Sequence, residues 1–225
     1  TGVDIDRMYR NITERFRWGG LDADNPENLY LDETVRRMVT TNRSAMLDLA
    51  TELYNRAVST DSLTDPEGRK RDFDRSIEIL DLMRAKLPEA AQPWGIQIGS
   101  ETAELYLRTG LIDNRPEASK IGMEMLESEI DRYARNIVYY QSLNPVQYST
   151  LQNTDKYIDR YFFWDLLQTY VDFGGDTDKL EKSLAALGVN LNRLAAMQDQ
   201  NSQAAKLQAA EPADAAPAPF PADAD

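Results

Sequence analysis

An all-α fold is what this sequence predicts, and three observations carry that expectation. Apolar residues recur at spacings of three and four through most of the chain, which gathers them on one face of a helix. The periodic segments stop at a glycine pair and at Asn-Pro, both of which interrupt helices. No run of alternating β-branched residues bounded by turn residues occurs, so a sheet is not expected.

The elements follow in order. Met8, Ile12 and Phe16 share one helical face, with Ile5 and Tyr9 beside them. From Thr34 to Val58 a second stripe runs through Val35, Met38, Val39, Met46, Leu49, Ala50, Leu53 and Tyr54. Phe73, Ile77, Leu80 and Leu87 trace a third. Ala103, Tyr106 and Leu107 trace a fourth, expected to end with Gly110 just beyond the helix. A long segment from Pro116 to Leu143 stops at Asn144-Pro145, and the aromatic run YIDRYFFWDLLQTYVDF stops at Gly174-Gly175. A last segment, DKLEKSLAALGVNLNRLAAM, closes the helical part. The stretch Ser59–Glu67 is polar apart from Leu63. It is expected to be an exposed loop, because burial would strand its backbone polar groups. Its Asp61-Ser62-Leu63 resembles an O-glycosylation acceptor pattern of some bacteria.

Ser76, Leu80, Met83 and Pro88 stand at the offsets of a second tetratricopeptide helix. Ala103, Tyr106 and Gly110 fit the end of a first helix, and "PEAS" before "IGMEML" opens the next second one. The expected architecture is therefore stacked helical hairpins in a degenerate tetratricopeptide-like array. Insertions at Ser59–Glu67 and Leu111–Arg115 break the period of about 34 residues. An ordinary helical bundle produces such spacings too. Three regions are expected: residues 1–31, an N-terminal helix and Gly-Gly loop packed on the core; residues 32–199, the helical array; and residues 200–225, a tail of Pro, Ala and acid. That tail holds too little apolar surface to offset its ordering entropy, so it is expected to be a disordered acidic spacer.

Composition bounds the function. There are 38 acidic against 25 basic residues, a net charge of −13, which repels phosphate backbones and anionic lipid. The one basic cluster, Arg69–Arg71, is followed at once by Asp72 and Asp74, so no nucleic-acid partner is expected. Histidine and cysteine are both missing. That removes histidine acid–base chemistry, cysteine nucleophiles, catalytic triads and N- or S-ligated zinc. No catalytic residue, cofactor or metal is assigned. No apolar run approaches the roughly 20 residues needed to span a bilayer, so direct membrane insertion is not expected. The polar start TGVDID looks like a cut end, and a piece of a longer or processed protein is expected.

Three candidate sites were weighed. Asp22, Asp24 and Glu33 fall at positions 1, 3 and 12 of a calcium loop. However, Pro26 stands at position 5, and Glu27 where the turn requires glycine. Helix initiation explains the stretch better: Asp32 is placed to cap the following N–H groups, with Glu33 at the positive helix end. The aromatic helix with Tyr157 and Tyr161, together with Tyr106, Tyr133 and Tyr140, offers rings for a groove that takes peptide or sugar. Phe162, Phe163, Leu166, Leu167 and Tyr170 read as ordinary core. Asp159 and Asp165 form a carboxylate pair, but no spacing rule marks them out among so many acids. Trp18, Gly19, Gly20 and Asp32 are assigned as a structural motif: the tryptophan buried, the glycines reversing the chain, the aspartate capping.

The segment MYRNITERFRWGGLDADNPENLYLDETVRRM, with its paired motifs Phe16–Asp22 and Tyr30–Met38, resembles the opening of a soluble C-terminal domain. That domain belongs to a bacterial family of multi-spanning membrane proteins filed as a domain of unknown function. The likeness continues through LATELYNRA, SIEILDLMRAKLP, AELYLRTG and, more loosely, YYQSL, covering roughly Val3 to Phe173. The family is similar to protein O-mannosyltransferases and other glycosyltransferases that use lipid-linked sugars. The resemblance implies a helical, non-catalytic domain on the periplasmic or extracytoplasmic face of the bacterial cytoplasmic membrane. Its partner would be a protein, a peptide or the membrane part of the same polypeptide. Family members commonly carry a Cys and a His where this chain has VTTNR at Val39–Arg43. The alternative is a free-standing scaffold that binds a protein partner and has no link to sugar transfer.

Overall fold

The computed structural model describes residues 4–22, 24–95, 97–151 and 153–191, with the backbone alone at 153–157. The expected tail at 200–225 lies outside the described residues, as does the end of the expected array from residue 192. Every regular element among the described residues is helical. α1 (Ile5–Arg10) runs on as a π-turn (Asn11–Arg15), and a 3-10 turn (Pro26–Asn28) precedes α2 (Glu33–Ser59). There follow α3 (Pro66–Lys86), α4 (Ile98–Ile112), α5 (Pro116–Ser142), α6 (Pro145–Thr150), α7 (Asn153–Asp172) and α8 (Thr177–Ala186). No helix among them is long and apolar enough to cross a membrane.

The boundaries follow local chemistry. Asp32, Asp65 and Asp176 each accept a hydrogen bond from the backbone N–H three residues on, at 2.8, 2.9 and 3.0 Å. These bonds satisfy N–H groups that have no partner within the helix. α3, α5 and α6 start on Pro66, Pro116 and Pro145, whose missing N–H costs nothing in a first turn. Asn144 and Gln147 close a reciprocal capping box that starts α6 directly after α5.

α2 packs along α3, and α4 along α5. The touching residues run in opposite order, which makes both pairs antiparallel. Ala57 meets Arg69 and Ala50 meets Ser76; Ala103 meets Gly122, and Gly99 meets Glu129. Small residues set the closeness. Ser76 is buried and donates to the Ala50 carbonyl at 2.8 Å. A Cβ on Gly122 would stand 2.7 Å from both the Ala103 carbonyl and the Leu107 side chain. Gly110 differs from its expected place beyond a helix end. It lies inside α4, buried where the start of α5 crosses, and α4 continues to Ile112. Tertiary packing, not termination, requires the missing side chain.

α7 runs against α5 and stops at Gly174, whose φ of +78° suits glycine. Its buried stripe is Phe163, Leu166, Leu167 and Tyr170, with Phe162 stacked on Tyr133 at 6.3 Å. One core cluster extends from Ile12 through Leu53, Phe73, Leu80, Tyr106, Leu126 and Tyr133 to Leu184. Each fully buried Leu or Phe in it contributes roughly 1.5–3 kcal/mol.

Candidate functional site

The tyrosines expected at a groove fall in different surroundings. Tyr106 and Tyr133 are fully buried. The Tyr106 hydroxyl donates to Asp81 at 2.6 Å, and burial, then Asp81, drives its ionisation far above the ordinary tyrosine range. Burial likewise raises Tyr133. Tyr140 is half-buried and donates to Asp159 at 2.6 Å, a carboxylate that also accepts from Asn136 at 3.0 Å. Tyr161 is exposed, and the side chain of Tyr157 lies outside the described residues. Two of the five are core: Tyr106 faces Asp81 and Arg84 of α3, and Tyr133 faces Phe162 of α7. Asp159 is buried while Asp165 is exposed, so that pair does not act on one substrate.

The opening segment is a different kind of surface. Asp32 caps α2, and Gly20 turns the chain with φ +80°, its N–H donating to the Trp18 carbonyl at 2.7 Å. Trp18 is half-buried against the core, not enclosed, and its ring lies 5.7 Å from Phe16 at 57°. The two aromatics edge a cleft of about 270 Å³ between α1, the π-turn and α2. Met8, Ile12, Ala45 and Met46 supply its apolar wall; Asp4, Arg7, Asn11 and Asn42 supply its polar margin. Phe16 is 47% exposed, Met38 59% and Tyr30 90%. Met38 therefore leaves the apolar stripe of α2 and faces outward. The segment 16–38 thus presents apolar side chains left exposed among the described residues.

Ion pairs hold α1 in place. Arg56 grips the buried Asp72 through two bonds of 2.6 and 2.7 Å and reaches Asp6 at 3.3 Å; Arg75 meets Asp6 at 2.9 Å. Tyr9 donates to Glu78, and burial, then that bond, raises the phenol to about 12. Asp22, first of the calcium-loop positions, pairs with Lys86 at 2.7 Å. Among the described residues no three acidic side chains converge as a metal-binding set.

Sequence reasoning missed a buried arginine. Arg43 is 1% exposed. Its guanidinium donates to the carbonyls of Leu87, Pro88, Gln92 and Pro93 at 2.7 to 3.1 Å and lies 4.2 Å over the Trp94 ring. It organises the whole link between α3 and α4. Burial lowers its pKa to about 10, so it remains charged at neutral pH. Glu129 is also buried, and Arg132 donates to it; burial raises its carboxyl above the ordinary range. The one advance signal was its position: Arg43 closes the VTTNR run, on the same helix face as Val39, Met46 and Ala50.

No protein-family model matches this chain, and neither do any curated proteins or solved structures. What the site can do is set by its chemistry. The cleft offers an apolar recess edged by two aromatics, with Asp4 and Arg7 as the charged side chains among its lining residues.

Proposed function

We propose that this chain is a non-catalytic domain that binds a polypeptide. It would belong to the extracytoplasmic side of a glycosyltransferase-like membrane protein, where it positions an acceptor or steadies the membrane part. The observation that carries this reading is the cleft of about 270 Å³ edged by the exposed Phe16 and the half-buried Trp18. Exposed apolar surface of this kind marks interaction sites. The absence of histidine and cysteine from the sequence supports a binding role over a catalytic one. The antiparallel pairs α2–α3 and α4–α5 support a tetratricopeptide-like array, an architecture that commonly displays binding surfaces.

The testing experiment mixes the purified chain with a pool of peptides of varied sequence and measures saturable binding and the rise in melting temperature. Specific binding to the folded state must raise it. A pool that neither binds nor stabilises removes the interaction reading. Turnover of a sugar donor by the chain alone removes the non-catalytic one. The free-standing scaffold reading shares the same exposed surface. Coding sequence for apolar spans immediately upstream of Thr1 decides for the membrane-protein reading; its lack decides for the scaffold.

A further inference from the structure

Arginines gather in the sequence beside the cleft between α1 and α2. The whole chain carries −13, and its surface as a whole repels acidic partners. Yet the stretch from Arg7 to Arg17 holds Arg7, Arg10, Arg15 and Arg17 against the single acid Glu14. Arg7, Arg15 and Arg17 make no ion pair among the described residues. Of the acids just before them, Asp6 pairs with Arg56 and Arg75, while Asp4 caps α1 through the Arg7 N–H at 3.0 Å and sets one carboxylate on the cleft margin beside Arg7. Arg7 lines the cleft itself, and Arg15 and Arg17 flank Phe16, the aromatic on its edge. The result is an apolar recess beside guanidinium groups on an otherwise acidic molecule.

Its size decides the rest. At about 270 Å³ the recess falls below the range of ordinary small-molecule pockets, roughly 300–1,000 Å³. It suits one large side chain. Phe16 and Trp18 stand at 57° to each other, an arrangement that favours a third ring packed edge-on or offset against them.

Resting on the polypeptide-binding reading above, we infer that this cleft takes an acidic peptide segment of a partner protein. One aromatic side chain of that segment fills the recess, and the neighbouring carboxylates pair with Arg7, Arg15 and Arg17. Guanidinium groups bind carboxylates in two-point geometry and stack on aromatic faces. The pairing also steers an acidic segment towards this arginine-rich edge.

The test uses the full chain and three fluorescein-labelled peptides followed by anisotropy. One has acidic residues around a single phenylalanine, one has alanine in place of that phenylalanine, and one has lysines in place of the acids. The first is expected to saturate and the other two are not. Raising salt from about 50 to about 300 mM should weaken binding several-fold, as screening of exposed charges requires. Arg15→Gln with Arg17→Gln, both at exposed positions, should weaken it about three- to tenfold with the melting temperature unchanged. Ala45→Met, which fills the recess from α2, should abolish it. Equal binding of the lysine peptide, or binding indifferent to both sets of variants, overturns the assignment. If the mixed peptide pool binds while the acidic phenylalanine peptide does not, this inference falls and the interaction reading stands. If deleting residues 200–225 strengthens peptide binding by about tenfold or more, the chain's own acidic tail with Phe220 is the occupant, and the partner assignment is wrong.

Discussion

The paired helices α2 to α5 and the segment from α1 to residue 31 are held together by different physics. In the paired helices, apolar side chains interdigitate, glycine and serine let backbones approach, and Arg43 fastens a loop from inside. The N-terminal segment buries Ile12 and Leu31 but otherwise leans on the core through half-buried Met8, Tyr9, Trp18 and Leu21, and through ion pairs at Asp6 and Asp22. Exposed ion pairs contribute little, about 0–1 kcal/mol each. Interdigitated cores contribute several times that per residue. A protein built this way has a rigid frame and a loosely attached edge, and the uncovered apolar surface lies on the edge.

Four measurements break or sharpen that contrast. Arg43→Ala acts on the frame and should have the largest effect. It opens a cavity and takes the guanidinium from the carbonyls of Leu87, Gln92 and Pro93, while Pro88 keeps its turn bonds, for an expected loss of about 3–5 kcal/mol by chemical denaturation. A loss below about 1 kcal/mol would mean that water replaces the guanidinium and that the link does not depend on it. Gly122→Ala should follow at about 1–3 kcal/mol, because the added Cβ meets backbone at Ala103 and cannot be accommodated by a side-chain swing. Equal stability of this variant would show that α4 and α5 separate easily.

Trp18→Ala tests the edge. A fully enclosed tryptophan would cost about 3 kcal/mol or more on truncation, whereas the half-buried ring found here should cost about 1–2 kcal/mol. Amide exchange should then quicken in α1 and the π-turn while α2 to α5 stay protected. Uniform acceleration across the chain would show that edge and frame unfold as one unit. The smallest effect concerns pH. Glu129 has its carboxyl raised by burial, against the opposing pull of Arg132 and Arg43 and with Glu89 adding to the rise. A raised acid favours the folded state most when protonated, so its contribution is complete below the reference value of 4.5 and is lost as pH rises through the folded value. Glu129→Gln should flatten that part of the stability–pH curve, read as melting temperature from pH 4.5 upward. An unchanged slope would assign the pH dependence to other groups.

Much of the frame could be read in advance, and particular residues show why. α2, α5 and α7 carry unbroken apolar stripes, and Asn144-Pro145 and Gly174-Gly175 stop helices wherever they stand. Asp32 caps α2 because the chemistry of capping spans only three residues. The candidate site was legible only in part. Tyr106 and Tyr133 resemble groove residues by type, but helix faces that meet other helices bury them. Phe16 and Met38 resemble core by period, yet among the described residues both are exposed. Gly110 has the composition of a helix end and the position of a helix crossing.

What the sequence alone determined is therefore local and near-neighbour: the all-helical class, the caps, the stops, and the exclusion of histidine and cysteine chemistry. Each depends on residues within about one helical turn of one another, or on plain composition. Only the tertiary structure decided which stripes face each other, that Arg43 lies inside, and that a cleft opens between α1 and α2. Those outcomes join residues as far apart as Arg43 and Pro93, or Ile12 and Met46. Burial is a property of what packs against a residue, and a chain read in one dimension does not contain its neighbours in three.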